Sequence, residues 1–260
     1  MLRALPEEIR GALAAEYARG RRRLLLLDYD GTLRDFVANP DEAWPDEGLR
    51  GLLAALGANE RNEVVVISGR NRGRLTEWLG DMPVHLVAEH GAWIRRRGQE
   101  WRMPQPYSSQ WKEVIRPILE GYVDRTPGAT IEEKEFGLTW HYRRADPELG
   151  AVQARELRDA VQPLTANLDL GVYEGHKLVE VKNVGINKGR ATELWLGRET
   201  WDFILALGDD YTDEDLFAVL PARAYSIRVG HVMSRARYNL DSVWEVRRLL
   251  EQLAGTESVC

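Results

Sequence analysis

Two acidic residues stand two positions apart where an apolar run ends. Residues 24–33 read LLLLDYDGTL, in which Asp28 and Asp30 flank Tyr29. Because side chains alternate along an extended chain, both carboxylates point to one side, while Tyr29 points away into packing. Two converging carboxylates offer hard oxygen ligands suited to Mg²⁺, and one of them can attack phosphorus to form an aspartyl-phosphate. The alternative is a strand and turn that carry two solvated acids.

Other polar residues also follow apolar runs. Ser68 ends the run in VVVISGR, and Asp209 follows the run in ILALGDD. Ligands of open α/β sheets bind outside the carboxyl ends of the strands, so these side chains are candidates for one site. Taken singly, Ser68 fits an ordinary turn and Lys188 in GINKG fits a solvated lysine at a helix start. The segment GDDYTDED fits an acidic helix start, with Thr212 and Asp213 as N-cap residues.

The elements between these residues predict a parallel sheet. Apolar runs typical of buried strands alternate with segments of helical periodicity, which favours an α/β fold with right-handed crossovers. The predicted strands are 24–27, 64–67, 84–88, 203–207 and 223–229, and the predicted helices are 46–56, 72–79, 188–196 and 213–220. A further amphipathic helix is expected within residues 1–23.

The stretch 101–181 has a different order of elements. It predicts a helix over 107–123, paired strands over 130–135 and 138–144, a helix from Asp146–Pro147 to 161, and paired strands over 168–173 and 177–181. The order helix, strand, strand occurs twice in succession, which indicates an α+β module. The interpretation is a doubly wound, Rossmann-like core formed by residues 1–100 and 182–260, with an inserted α+β cap at 101–181.

Composition excludes several classes of protein. The 260 residues carry 35 Lys and Arg against 41 Asp and Glu, a net charge of −6, which opposes a nucleic-acid-binding surface. Cys260 is the only cysteine, so no intramolecular disulfide can form. No apolar run reaches the roughly 20 residues of a membrane span, and no secretory signal is recognised. These features predict a cytoplasmic enzyme without membrane or nucleic-acid partners.

The motifs resemble those of the haloacid-dehalogenase superfamily of phosphotransferases. DYDGTL resembles the first motif, Ser68 the second, Lys188 the third, and the acidic segment with Asp209, Asp210 and Asp213 the fourth, in the expected order. A narrower resemblance is to the trehalose-6-phosphate phosphatase family. It rests on SGR at 68–70, AEHGA at 88–92, HYRRADPE at 141–148, GINKG at 185–189 and GDDYTDED at 208–215.

The resemblance implies a role for each core residue. Asp28 is expected to attack phosphorus, and Asp30 to protonate the leaving oxygen and later to activate water. Mg²⁺ is expected on Asp28, the backbone carbonyl of Asp30 and Asp209. Asp213 is expected to support the metal or orient Lys188, and Asp210 is a weaker candidate for either role. Ser68, the Gly69 amide and Lys188 are expected to bind the phosphoryl oxygens, and Arg70 either assists or is a surface cation.

The resemblance also assigns a sugar site to the cap. Glu132, Arg143 and Glu180 match positions that bind the sugar in the family, with salt bridging on the cap surface as the alternative. In GHKLVEV, His176 or Lys177 is expected to supply a basic group, and Leu178 stands where the family often has Asn. His90 and His141 are expected to be structural.

The leading hypothesis is therefore a Mg²⁺-dependent phosphatase that releases trehalose from trehalose 6-phosphate. The alternatives are a phosphatase for another sugar phosphate, such as sucrose phosphate or a glucosylglycerol-type phosphate, a phosphomutase, or an inactive module that partners a synthase. Functional coupling to a trehalose-6-phosphate synthase is a possible partnership. The presence of Asp28, Asp30, Lys188 and Asp209 opposes the inactive module.

Overall fold

The computed structural model describes residues 3–37, 39–175 and 177–255. Its contacts divide the chain into two compact units. Unit 1 contains the residues up to Pro104 and from Asn187 onward, and unit 2 is Gln105–Ile186. The expectations for His176 and Cys260 concern positions outside the described residues.

The elements are numbered in chain order. The strands are β1 (Arg3–Ala4), β2 (Arg23–Asp28), β3 (Asn62–Ile67), β4 (His85–Ala88), β5 (Trp93–Arg95), β6 (Trp101–Arg102), β7 (Thr130–Lys134), β8 (Gly137–His141), β9 (Leu170–Gly175), β10 (Leu178–Asn183), β11 (Phe203–Gly208), β12 (Tyr225–Val229) and β13 (Tyr238–Leu240). The helices are α1 (Glu7–Arg19), α2 (Glu47–Ala58), α3 (Arg72–Leu79), α4 (Lys112–Arg125), α5 (Pro147–Thr165), α6 (Lys188–Leu196), α7 (Asp213–Ala218) and α8 (Val243–Gly255).

Unit 1 is built on one sheet with the strand order β1-β13-β12-β11-β2-β3-β4-β5-β6. The pairs from β1 to β4 are parallel, and β5 and β6 add antiparallel strands at one edge. Leu25 and Leu27 of β2 pack in the same apolar cluster as α1, α2, α3 and α8, whereas Leu24 and Leu26 pack with α6 and α7. Burial on both faces explains the unbroken leucine run, since each buried leucine contributes roughly 1.5–3 kcal/mol. The predicted doubly wound α/β core is confirmed.

Unit 2 contains a second, antiparallel sheet with the order β7-β8-β10-β9. Apolar side chains of one face, among them Leu138, Trp140, Val179 and Val181, form a core with residues of α4 and α5. Side chains alternate across a sheet, so the strand register places polar residues on the other face. That polar face contains Glu132, Lys134, Thr139, His141, Tyr173, Glu180 and Lys182.

Several predicted boundaries are wrong. Residues 101–104 belong to unit 1 because β6 pairs with β5, and residues 182–186 belong to unit 2 because β10 continues to Asn183. The helix predicted over 107–123 begins at Lys112. The strand predicted over 138–144 ends at His141, where the Tyr142 amide bonds to the Lys177 carbonyl. The first helix begins only after Pro6, which is extended.

Helix caps follow the expectations in one case and not in another. The Asp146 carboxylate accepts hydrogen bonds from the amides of Glu148 and Leu149, with Pro147 opening α5 as predicted. Thr212, predicted as an N-cap, makes no such bond to α7. None of the helices within the described residues has the length and apolar composition that crossing a membrane requires.

Candidate active site

Three of the predicted site residues lie at the carboxyl ends of neighbouring strands. Asp28 is the last residue of β2, and Ser68 and Asp209 follow directly after β3 and β11. β2 lies between β3 and β11 in the sheet, so these three chain ends are adjacent. The intervening Tyr29 is buried, and its hydroxyl donates to the Ala43 carbonyl, as expected for a side chain that points into packing.

Lys188 connects two of the acids. Asn187 caps α6 through the Arg190 amide, which places Lys188 in the first turn. The Lys188 Nζ donates to Asp28 Oδ1 at 2.5 Å and to Asp213 Oδ1 at 2.7 Å, and only 2% of the residue is exposed. Burial disfavours the charged amine, but the charges of Asp213 and Asp28 outweigh it and raise the pKa of Lys188. The lysine is therefore a fixed cation beside Asp28.

Both carboxylate oxygens of Asp213 accept hydrogen bonds. Its Oδ1 accepts from Lys188, and its Oδ2 accepts from the amides of Asp209 and Asp210 at 3.1 and 3.0 Å. The side chain is 0% exposed. Asp213 is therefore positioned to orient Lys188 and the loop that begins with Asp209 and Asp210. Asp210 is exposed, and its Oδ1 accepts the amide hydrogen of Tyr211.

The acids form a site whose donors fit a hard divalent cation. Carboxylate oxygens of Asp28, Asp209 and Asp213 lie within 4.8 Å of one another. Burial raises the pKa of Asp28 well above its usual range, with Lys188 opposing and the other two acids adding to the rise. Burial likewise raises the pKa of Asp209 to about 6. Crowded carboxylates of this kind are stabilised as anions when a cation binds.

Gly31 has a conformational and a steric reason to be glycine. Its φ is +81°, and a Cβ at this position would lie 2.3 Å from Asp209 Oδ2. Asp209 Oδ1 in turn accepts a hydrogen bond from the Thr32 hydroxyl at 3.2 Å. The turn of the first motif is therefore packed against the acid of the fourth.

Arg70 is paired with Asp30. The Arg70 Nε donates to Asp30 Oδ2 at 2.8 Å, and its Nη2 donates to Asp30 Oδ1 at 2.5 Å. The backbone N–H of Arg70 also donates a hydrogen bond to Ser68 Oγ at 3.1 Å. These contacts favour the expectation that Arg70 assists at the site over the expectation that it is a surface cation, because its guanidinium is half-buried against a proposed catalytic acid.

Glu89 and His90 support the loop that carries Ser68. Both have left-handed backbone conformations, with φ of 48° and 57°. Their amides donate to the carbonyls of Arg70 and Ser68 at 2.9 and 3.0 Å. A Cβ on Gly69 would lie 2.6 Å from the His90 ring. Non-glycine residues adopt this conformation at a cost of roughly 1–3 kcal/mol each, which the surrounding structure must offset.

The predicted sugar residues lie in two parts of unit 2. Glu132 and Glu180 are on the polar face, and Glu132 Oε2 lies 2.8 Å from His141 Nε2. Glu180 is buried, 2.9 Å from Lys182 Nζ and 3.8 Å from Lys134 Nζ. Burial alone would raise the pKa of Glu180, but the two lysine charges outweigh it and the pKa is lowered.

Arg143 and Lys177 lie off that face. Arg143 is exposed in the turn after β8, not on the strand where it was expected. Lys177 has a φ of 63° in the β9–β10 turn, and its Nζ is 5.5 Å from the centre of the Tyr142 ring. Lys182 was missed in the sequence, although its spacing of two from Glu180 in a strand pattern could have indicated it.

The fold and the ends of β2, β3 and β11 define a phosphotransferase site of the haloacid-dehalogenase type. Residues 26–243 match the model of the family described as trehalose-phosphatase, and the chain belongs to this family. The resemblance found in the sequence motifs is therefore confirmed. Membership of such a phosphatase family implies a divalent metal, which the acidic cluster fits.

Known relatives agree with this assignment. Over 252 residues the chain is 40% identical to a bifunctional trehalose-6-phosphate synthase/phosphatase of Thermoproteus tenax, which covers 97% of this chain and 34% of the relative. It is 40% identical over 231 residues to a trehalose-phosphatase of Zygosaccharomyces rouxii, covering 80% of this chain and 26% of the relative. The chain thus spans about a third or less of the length of these curated relatives.

A solved structure matches over nearly the whole chain. The C-terminal domain of the trehalose-6-phosphate phosphatase of C. albicans superposes with a TM-score of 0.89 at 33% sequence identity. The match covers 98% of this chain and 99% of that one. This chain and the C. albicans domain therefore have the same fold.

Proposed function

We propose that this chain hydrolyses trehalose 6-phosphate to trehalose and phosphate, the last step of trehalose biosynthesis. Family membership supports the substrate. The observation that carries the chemistry is the buried Lys188, which holds Asp28 at the tip of the central strand. An acid that a lysine holds in place, and that ionises once a cation binds, is suited to attack an anionic phosphate.

In the first step an oxygen of Asp28 bonds to phosphorus, and the bond from phosphorus to the sugar oxygen breaks. Asp30 gives its proton to that sugar oxygen, so trehalose leaves as a neutral alcohol. In the second step water attacks the aspartyl-phosphate and gives a proton to Asp30. Phosphate is released and the Asp28 carboxylate is restored.

The pair between Asp30 and Arg70 bears on this proton transfer. Both Asp30 oxygens accept hydrogen bonds from Arg70, so the pair holds the carboxyl group in place and engages both oxygens that the proton transfer would use. A substrate phosphate is a competing partner for the guanidinium. We infer that Arg70 turns to the phosphate when substrate binds, which frees Asp30 to act as an acid.

Ser68, the Gly69 amide and Lys188 are proposed to bind the phosphoryl oxygens, where charge must be stabilised in a loose transition state. We propose Mg²⁺ as the metal, held by Asp28, the backbone carbonyl of Asp30 and Asp209. Asp213 acts through its hydrogen bonds to Lys188 and the loop amides. When bound, Mg²⁺ neutralises charge on the phosphoryl group.

The polar residues of unit 2 are proposed to recognise the sugar. Glu132 and Glu180 can accept hydrogen bonds from sugar hydroxyls, and Arg143 and Lys177 can donate them. Coupling to a trehalose-6-phosphate synthase is proposed as well, because the Thermoproteus tenax relative is named as a bifunctional synthase/phosphatase. A cytoplasmic location remains a prediction.

Phosphate release from a panel of sugar phosphates, with and without Mg²⁺, tests the proposal. The panel includes trehalose 6-phosphate, sucrose phosphate, a glucosylglycerol-type phosphate and glucose 6-phosphate. We expect metal-dependent turnover with the highest kcat/KM for trehalose 6-phosphate, and a loss of several orders of magnitude in Asp28→Asn. A preference for another sugar phosphate would overturn the substrate assignment, and an active Asp28→Asn protein would overturn the mechanism.

A further inference from the structure

The polar face of unit 2 contains a hydroxyl group with no hydrogen-bond partner. Thr139 is on β8, only 3% exposed, and its Oγ1 has no partner among the described residues. Burial of an unpaired hydroxyl destabilises a folded protein, and a valine would occupy the same shape without that penalty. An unpaired group in a native fold therefore needs an explanation.

The neighbours of Thr139 on the face are two acids. The register pairs Glu132 of β7 and Glu180 of β10 with Thr139, one on either side. Neither acid bonds to the hydroxyl. His141 lies 2.8 Å from Glu132, and Lys182 lies 2.9 Å from Glu180, so basic groups hold both carboxylates in place. The hydroxyl is left between two oriented acceptors with its own donor and acceptor capacity unused.

We propose that Thr139 determines specificity by hydrogen bonding to a hydroxyl of the sugar. This rests on the proposed function, which makes the substrate a sugar phosphate. The flanking carboxylates repel a phosphate, but they accept hydrogen bonds from neutral hydroxyls. A threonine hydroxyl can donate to one sugar oxygen and accept from another. The row from Glu132 through Thr139 to Glu180 thus places one acceptor on either side of a group that can both donate and accept, which suits the hydroxyls of a sugar.

The decisive variant is Thr139→Val, which removes the hydroxyl and keeps the shape. Thr126 offers a matched control in the same unit. It follows the last residue of α4, is 0% exposed, and its Oγ1 also has no partner among the described residues. Thr126→Val therefore removes an equivalent buried hydroxyl away from the polar face. Thr139→Ser keeps the hydroxyl and serves as the conservative variant.

We expect Thr139→Val to lower kcat/KM for trehalose 6-phosphate about 10-fold, the size typical of one lost hydrogen bond to substrate. Hydrolysis of p-nitrophenyl phosphate should be unchanged, because that substrate has no sugar. The kcat/KM of Thr139→Ser should stay within about threefold of that of the unmodified protein. Thr126→Val should have the same kcat/KM as the unmodified protein on both substrates. Neither valine variant should have a lower melting temperature, because each loses an unpaired buried group.

The proposal is overturned if a folded Thr139→Val protein keeps the unmodified preference between the two substrates. A structural water at Thr139 would give that result. If Thr139→Val does not fold, Thr139→Ala with the same two substrates decides the question. If the unmodified chain prefers another sugar phosphate, the proposed substrate fails, and the same comparison on the preferred sugar still tests Thr139.

Discussion

Arg70 and Asp30 form a two-point ion pair between the loop after β3 and the first motif, with N–O distances of 2.8 and 2.5 Å. The pair joins the end of β3 to the end of β2. In the proposed mechanism it is the resting arrangement of the acid, and substrate must exchange places with Asp30 on the guanidinium.

Replacing Arg70 should therefore affect two substrates to the same degree. Arg70→Gln removes the guanidinium that is proposed to turn to the substrate phosphate, and both substrates carry that phosphate. We expect kcat/KM to fall about 10- to 100-fold for trehalose 6-phosphate and for p-nitrophenyl phosphate alike. Single-turnover kinetics on both substrates measure this. A loss confined to trehalose 6-phosphate, whose leaving group needs proton assistance, would mean that Arg70 acts by positioning Asp30 and does not exchange it for the phosphate.

Replacing the Asp213 carboxylate with an amide should lower both stability and activity. Both of its oxygens face hydrogen donors, so the NH₂ of Asp213→Asn must face either Lys188 or two backbone amides. Lys188 would keep Asp28 as an ionic partner but lose the Asp213 charge, and breaking one buried ion pair costs about 3–5 kcal/mol, so we expect a melting temperature lower by several degrees and activity lower by at least 100-fold. Asp210→Asn is the control, because Asn can still accept from the Tyr211 amide. Thermal unfolding and phosphate release should separate the two variants.

Binding of Mg²⁺ should stabilise the protein more as pH rises from 5 to 7. The pKa of Asp209 is raised from 3.8 to about 6, so without metal its contribution to stability is present below pH 3.8 and is lost as pH rises through about 6. A cation reverses this by binding the ionised form. At one fixed concentration, 100 times its Kd at pH 7, Mg²⁺ should raise the melting temperature by about 5–10 °C at pH 7, and by less at pH 5, where its Kd is weaker. The same increase at both values would exclude Asp209 as a ligand.

Gly69→Ala should damage catalysis through His90. Its Cβ would lie 2.6 Å from the His90 ring, so the loop with Ser68 must move. A displacement of about 1 Å can lower the rate 100-fold, and we expect a loss of 10- to 100-fold on every substrate. Adding His90→Ala should restore part of that loss, which a simple loop defect would not predict.

Gly51→Ala is the control for that experiment. Gly51 lies in α2, and a Cβ there would meet nothing within 4 Å. This change should leave activity unaltered and stabilise the protein by up to about 1 kcal/mol, since alanine favours a helix over glycine.

Glu180→Gln should alter substrate preference and leave the core chemistry intact. The change removes the charge that Lys182 and Lys134 hold on the polar face. We expect kcat/KM for trehalose 6-phosphate to fall about 10- to 100-fold, with little change for p-nitrophenyl phosphate. Glu174→Gln, at an exposed residue of β9 paired with Arg158, should change neither. If Glu180→Gln lowers both rates equally, Glu180 does not read the sugar.

The sequence by itself determined the class of fold and the residues with chemical potential. Apolar runs that end in Asp28, Ser68 and Gly208–Asp209 indicated parallel strands, because buried strands and their polar ends leave a local signal. The motif spacing indicated the family for the same reason, since each motif is a short continuous segment. The short strands β1, β5, β6 and β13 were missed because they are only two or three residues long.

Only the tertiary structure decided which of these residues bind one another. Arg70 is 40 residues from Asp30, and Lys188 is 160 residues from Asp28, so no local pattern could reveal these bonds. The same holds for Asp213, whose two oxygens are assigned to donors only once α6 and the end of β11 come together. The unpaired Thr139 hydroxyl is likewise a property of packing, because a threonine in a strand normally finds or lacks a partner according to residues distant in sequence.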